Sequence, residues 1–215
     1  MKIAIFGAGG LGRELLCLIN LINAENSNSE FKFIGWFDDS IEKGTLISNF
    51  PVLGGLNELN NHSEPLGVVI GLGDARLRRT ISSKINNSLL SYPSLIHPSI
   101  ELNEYQNIEI GYGVIIQKGS VITCDIKIGN FVLVNLNCTI GHDTEVRDYC
   151  ALMPGVHISG ECIIEEASYF GTNSTVINQI NVGEGAVIGA SACVAKDIFP
   201  NTLNVGVPSK SIKEI

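Results

Sequence analysis

The sequence predicts two architectures in tandem: a small α/β unit with a parallel sheet, then a parallel β-helix built of hexapeptide repeats. Three observations carry this. An aliphatic or aromatic residue falls on every sixth position from Ile110 to Val194 without a miss. Gly7-Ala-Gly-Gly-Leu-Gly12 follows a short apolar run and precedes a segment with helical spacing. Between the two blocks lies Tyr92-Pro-Ser-Leu-Ile-His-Pro98, whose prolines disfavour helix and mark a passage from one unit to the next.

The elements follow in order. Lys2–Phe6 reads as a buried strand and the glycines after it as a tight turn. Arg13 to Asn23 places Leu15, Leu16, Ile19 and Ile22 on one helical face. Asn26 to Glu30 reads as a polar loop, and Phe31 to Phe37 as a second strand ending in Asp38-Asp39. Val68-Val-Ile-Gly-Leu-Gly73 reads as a third strand with its turn, and Asp74 to Ile85 as a helix. Residues 1–95 therefore form the first domain, 96–199 the β-helix, and 200–215 a C-terminal tail with Gly206-Val-Pro-Ser-Lys210.

Period six fits neither a helix, at about 3.6 residues per turn, nor a hairpin strand. Each hexad is a short strand and a turn, and three hexads close one coil, so each anchor stacks on the anchors 18 residues away. A second inward position comes four residues after the anchor and is small or β-branched, as at Val114, Ser120, Thr144, Ser168 and Ala186. Glycine often follows the anchor, at 111, 129, 141, 171, 183 and 189, where a turn with positive φ is expected. No insertion breaks the register, so a site here must be built from turn residues and neighbours.

Bulk properties narrow the function. The 215 residues carry 14 basic and 22 acidic side chains, a net charge of −8, which argues against a general nucleic-acid or anionic-membrane surface. The apolar run Leu15 to Ile22 is too short for a membrane span. The N-terminus lacks a signal-peptide pattern, so the chain reads as cytoplasmic. Cys138, Cys150 and Cys162 stand twelve apart at second inward positions and form no CxxC pair; they read as core packers.

The glycine-rich α/β unit, the Ile96-His-Pro98 linker, the unbroken hexads, His142-Asp143 on a turn and the final Gly-Val-Pro-Ser-Lys together resemble the NeuD-type sugar acyltransferases. That family comprises nucleotide-aminosugar N-acetyltransferases and sialic-acid O-acetyltransferases. The resemblance covers almost the whole chain. It implies a Rossmann-like first domain that holds the nucleotide of the sugar substrate, followed by a left-handed β-helix. It also implies a homotrimer with acetyl-CoA in the groove between adjacent β-helices.

His142 lies two residues after the anchor Ile140, off the core, and is followed by a carboxylate. A neutral imidazole can take a proton from an attacking amine or hydroxyl, and an adjacent carboxylate raises its basicity. The resemblance gives His142 the role of general base and Asp143 that of its partner. Related aminosugar enzymes carry Glu at the second position, and Asp143 is one methylene shorter. Asn135 matches a family asparagine near the reacting amine, while by composition alone it is a turn residue. Gly9, Gly10, Leu11, Asp38, Asp39 and Gly73 match contacts to the nucleotide sugar. Ala151, Thr172 and Ala190 match contacts to acetyl-CoA through small side chains and free backbone N–H groups. At Ala151 the related enzyme has a histidine. Lys210 reads as solvated or as a partner for a CoA phosphate.

G-x-G-x-x-G by itself also suggests NAD and a dehydrogenase, with Asp38 or Asp39 as the acidic residue. A block of about 95 residues is too small for a full dinucleotide fold. His157 is the fallback base, His97 reads as structural and His62 as inert. No histidine pair has the H-x₄-H spacing of the hexapeptide carbonic anhydrases, so no metal is expected. The leading reading is an acetyl-CoA-dependent N-acetyltransferase for a nucleotide-linked amino sugar in surface glycan synthesis. Its alternatives are a sugar O-acetyltransferase and a non-catalytic nucleotide-sugar-binding trimer.

Overall fold

The computed structural model describes residues 1–25 and 31–215. The polar loop expected at Asn26 to Glu30 lies outside the described residues. The chain divides into two units, residues 1–73 with 77–95 and residues 74–76 with 96–215.

The first unit contains strands β1 (Lys2–Phe6), β2 (Lys32–Phe37), β3 (Leu46–Ile47), β4 (Phe50–Gly54), β5 (Leu66–Ile70) and β6 (Leu90–Ser91). Its helices are α1 (Gly10–Glu25), α2 (Leu56–Asn60) and α3 (Ala75–Lys84), the last beginning within the residues grouped with the second unit. The sheet order is β3-β4-β2-β1-β5-β6, parallel except for the β3–β4 hairpin. β1 and β5 are apolar runs buried along most of their length, as strands covered on both faces must be. Leu15, Leu16, Leu18, Ile19 and Ile22 form the buried face of α1. Sequence patterning missed β3, β4, α2 and β6, which are short and lack a clean period.

The chain leaves β1 through α1 to β2 on one side, while β5 lies on the other side of β1. The carboxyl ends of β1 and β5 are therefore a topological switch point, where open α/β sheets form their ligand crevice.

The second unit is a left-handed parallel β-helix. Its two- and three-residue strands build three sheets in which partners are 18 residues apart, such as Thr139–Ile140 with His157–Ile158. Every anchor from Ile116 to Val194 is buried, and Ile110 packs partly buried on the same core. Val114, Thr144, Ser168 and Ala186 are buried as expected of second inward positions. Cys138, Cys150 and Cys162 are buried free thiols, and burial pushes Cys138 up to about 11, so it stays a neutral packer. Residues 202–214 do not hang as a loose tail. Thr202–Val205 extends one sheet beside Val187–Ile188 and pairs with Lys210–Glu214 as a hairpin.

The structure corrects the reason for glycine after the anchor. Positive φ falls two residues later, on every sixth residue from Gly113 to Ser191, including Asp143 at 57° and Phe131 at 55°. The glycines at 111, 129, 141, 171, 183 and 189 have ordinary φ values. What they lack is room: a Cβ on Gly141 would sit 2.6 Å from the Gly160 nitrogen, and one on Gly171 2.6 Å from the Ala190 nitrogen. Except at Gly189, whose nearest neighbour is the Val205 side chain, coils are in backbone contact there, and only glycine fits.

Candidate active site

Three turns meet at the switch point of the first unit. The Gly7 N–H donates to the Phe37 carbonyl at 2.7 Å, and the Gly71 N–H to the Phe6 carbonyl at 2.8 Å. A Cβ on Gly12 would lie 2.0 Å from the Gly7 carbonyl oxygen, and one on Gly71 3.1 Å from the Gly12 Cα. Gly7, Gly12 and Gly71 are thus glycines of close approach. Gly9, Gly10 and Gly73 have open space where a side chain would stand. Gly9 and Gly10 are exposed at the start of α1, and Leu11 is half-buried. Backbone N–H groups at such a helix start suit a diphosphate.

Asp38 is brought to this turn, and Asp39 to the start of α2. The Asp38 Oδ2 accepts the Ala8 N–H at 2.9 Å, while its Oδ1 accepts the Ser40 N–H at 2.9 Å and the Ser40 hydroxyl at 2.6 Å. Partial burial alone would raise its pKa. The bonds from the Ser40 hydroxyl and the Ala8 and Ser40 amides outweigh it and hold Asp38 below the ordinary value. Asp39 instead caps α2, its Oδ1 accepting the Leu56 N–H at 2.7 Å. A residue that pattern reading missed is Arg78, buried to 1% exposure, whose guanidinium donates to the Leu72 carbonyl and braces the Gly71–Gly73 turn.

In the β-helix, His142 and Asp143 occupy a coil corner after the strand Thr139–Ile140, both more than half exposed. The main chain holds them there. The His142 carbonyl accepts the Glu161 N–H at 2.8 Å, and the Asp143 N–H donates to the Cys124 carbonyl at 3.2 Å. His142 Nδ1 lies 2.8 Å from Asp143 Oδ2, so the shorter acid reaches the ring. An ionised carboxylate only accepts, so this bond places the proton on Nδ1 and leaves the Nε2 lone pair for proton transfer. Sequence reasoning also missed Gly160, 18 residues on and therefore in the next coil of the same corner. A Cβ built there would meet His142 Cε1 and Nε2, each at 2.7 Å. The 18-residue spacing is the signal that would have found it.

The other candidates are dispersed. Thr172 and Ala190 lie exposed in one corner column, and the Ser191 N–H donates to the Thr172 carbonyl at 2.9 Å. Asn135 follows an anchor of the same sheet, but it is buried, with Oδ1 on the Leu136 N–H at 2.8 Å. His142 belongs to the next corner, one face of the prism away. Ala151 does not meet the expectation of a free backbone N–H. Its side chain is buried beside Ala75 and Ala167, and its N–H donates to the Ser168 carbonyl at 2.9 Å in the sheet ladder. His157 is exposed on a strand, with Nδ1 3.0 Å from the Thr139 hydroxyl, a neutral partner. His97 is buried and bonds Ser99, a structural turn. Lys210 is exposed on the terminal hairpin. A groove of about 720 Å³ on another face is lined by Glu109, Lys127 and Glu184, and its Arg147 is paired with Glu145 and Glu165. Among the described residues, no group of three or more His, Cys, Asp or Glu is arranged to hold a metal, and no helix is long and apolar enough to cross a membrane.

Comparison with known proteins places the fold. The acetyltransferase domain of PglB from Neisseria gonorrhoeae, solved with acetyl coenzyme A, is 30% identical, with a TM-score of 0.83 and 98% of each chain covered. The PglD N-terminal domain family matches residues 2–85. The chain belongs to the NeuD/PglD-type sugar acyltransferase family. WeeI from Acinetobacter baumannii, another structure similar to this family member, is 25% identical with a TM-score of 0.85, covering 99% of this chain and all of its own. Perosamine N-acetyltransferase from Caulobacter crescentus, solved as a mutant with CoA and GDP-perosamine, shares the fold at 22% identity and a TM-score of 0.87, with 100% and 98% covered. The GMPPB C-terminal domain family matches residues 110–215. Among curated relatives, UDP-3-O-acylglucosamine N-acyltransferase of Methylobacterium nodulans is 28% identical over 108 residues, 50% of this chain and 30% of that protein. The chain spans less than two thirds of the length of the curated relatives it matches.

Proposed function

We propose that this chain is an acetyl-CoA-dependent N-acetyltransferase that modifies a nucleotide-linked amino sugar, with His142 as general base. The observation that carries the proposal is the His142–Asp143 pair, with Nδ1 bonded to a carboxylate and Nε2 directed away from it. The amine nitrogen attacks the thioester carbonyl carbon, Nε2 accepts the proton lost by the amine, the carbon–sulfur bond breaks, and CoA leaves as the thiol on taking that proton from the imidazolium, which restores neutral His142. Asp143 stabilises the imidazolium formed on the way. In the first unit, the N–H groups at Gly9, Gly10 and Leu11 and the turn at Gly73 hold the nucleotide diphosphate, and Asp38, bonded to the Ala8 N–H, fixes the shape of the Gly7–Gly12 turn. Asp39, exposed beside the start of α2, offers a further contact to the nucleotide sugar.

Thr172 and Ala190 line the path of the acetyl-CoA arm. They lie on a different corner of the prism from His142, an arrangement that favours a homotrimer with the donor between adjacent β-helices. Asn135 orients the reacting sugar. The PglB domain solved with acetyl coenzyme A supports the choice of donor, and the Caulobacter enzyme bound to GDP-perosamine illustrates the substrate class within this fold. The product serves surface glycan synthesis in the cytoplasm.

The test is a mass-spectrometric screen of UDP-, dTDP- and GDP-amino sugars with acetyl-CoA. A mass gain of one acetyl group, lost in His142→Ala, supports the proposal. Product only with a free sialic acid, acetylated on oxygen, would replace it with the O-acetyl reading. Transfer by His142→Ala at the original rate would remove the base assignment.

A further inference from the structure

Gly160 lies in the coil that follows His142. Its φ is ordinary, so the backbone there accepts any L-residue. The three atoms nearest to a built Cβ all belong to one side chain: His142 Cε1 at 2.7 Å, Nε2 at 2.7 Å and Cδ2 at 3.0 Å. Real Cβ contacts almost never come so close, so a methyl group at 160 and the observed imidazole cannot coexist. Gly141, in the same corner one coil earlier, differs. Its built Cβ meets the backbone of Ser159 and Gly160, at 2.7 and 2.6 Å. One glycine is required by the main chain and the other by a single exposed ring.

We infer that Gly160 is a positioning residue whose missing side chain lets the His142 imidazole lie against the next coil, with Nδ1 on Asp143 and Nε2 presented for proton transfer. The inference rests on the reading of His142 as the base. The ring is confined from two directions: the carboxylate fixes its edge, and the Gly160 main chain supports its far side. An alanine would displace the ring without touching the ladder of the coil. The His142 side chain is more than half exposed and has solvent to move into. The effect should therefore fall on turnover rather than on folding.

The experiment compares Gly160→Ala, His142→Ala and the double variant by steady-state kinetics, CoA titration and thermal unfolding. Gly160→Ala should lower kcat by about tenfold to a hundredfold, since misplacement of a catalytic group by about 1 Å can cost about 10²-fold. CoA affinity should stay within about twofold of the parent, as expected when a lost interaction serves only the transition state. The alanine should lower the thermal midpoint less in the His142→Ala background than in the parent, because the clashing ring is gone. Should Gly160→Ala fail to fold, recovery of folding in the double variant carries the same information. Unchanged kcat in Gly160→Ala, with His142→Ala inactive, overturns the inference. So does a parallel loss of CoA affinity, which would place Gly160 against the thioester donor instead. Full activity in His142→Ala would overturn the base reading itself, a distinct outcome.

Discussion

A methyl group added at Gly12 would land 2.0 Å from the Gly7 carbonyl oxygen, and one added at Gly160 would land 2.7 Å from the His142 ring. Both glycines stand in candidate sites, but they do different jobs. In the α/β unit, the turn after β1 is wedged between the ends of β2 and β5, and its Gly7 and Gly12 are required by packing. In the β-helix, the ladder already fixes the main chain, and Gly160 leaves space for one functional group. Substitution therefore endangers the fold at Gly12 and the chemistry at Gly160.

The largest effect expected is at the coil corner. His142→Ala should reduce kcat by about 10²- to 10⁴-fold, the usual contribution of a general base, while circular dichroism and the thermal midpoint stay near the parent's. A large fall in the midpoint would make the corner as structural as the Gly12 turn. The converse is Gly12→Ala, which should destabilise the first unit by about 3 kcal/mol or more through overpacking, read by denaturant unfolding. Retained stability would show that the turn relaxes, and the contrast would collapse. Asp143→Asn should cost about tenfold in turnover, because the imidazolium loses its charged partner, with both KM values little changed. A loss in substrate affinity alone would move Asp143 from the proton path to binding.

The smallest effect concerns Asp38. Its carboxyl is held below the ordinary pKa by Ser40 and Ala8 against the opposing effect of burial. A depressed folded-state pKa means that the stabilisation is present above the unfolded value, near 3.9, and is lost as pH falls through the folded value. Asp38→Asn should therefore lower the thermal midpoint by a few degrees at pH 7, the loss of about one hydrogen bond to a charged group, and by less at pH 3. An equal deficit at both pH values would show that shape, not charge, holds the turn.

Legibility differed between the two units for a physical reason. In the β-helix, each residue's neighbour is a fixed 18 positions away, so Ile140, Thr144 and Cys162 could be placed inward, and His142 outward, from spacing alone. The same rule applied to His142 points to Gly160. In the α/β unit, Lys2–Phe6 and α1 were readable because their apolar patterns are local. The hairpin of β3 and β4 and the short α2 were not, because they are held by contacts with Trp36, Phe37 and Asp39 rather than by a pattern of their own. Asp38 and Asp39 are adjacent and chemically alike in sequence, yet one bonds the glycine turn and the other caps a helix.

Sequence alone determined the coil, its register, the inward residues and the position of His142-Asp143 on a corner, because a six-residue period translates directly into stacking. Tertiary structure alone decided four things: that Asp143 reaches the ring, that Arg78 braces the Gly71–Gly73 turn, that Ala151 is buried, and that glycine after an anchor answers to close approach rather than to positive φ. Each depends on how near two backbones or side chains come across coils or strands, a distance that residue identity does not encode until the neighbouring segment is in place.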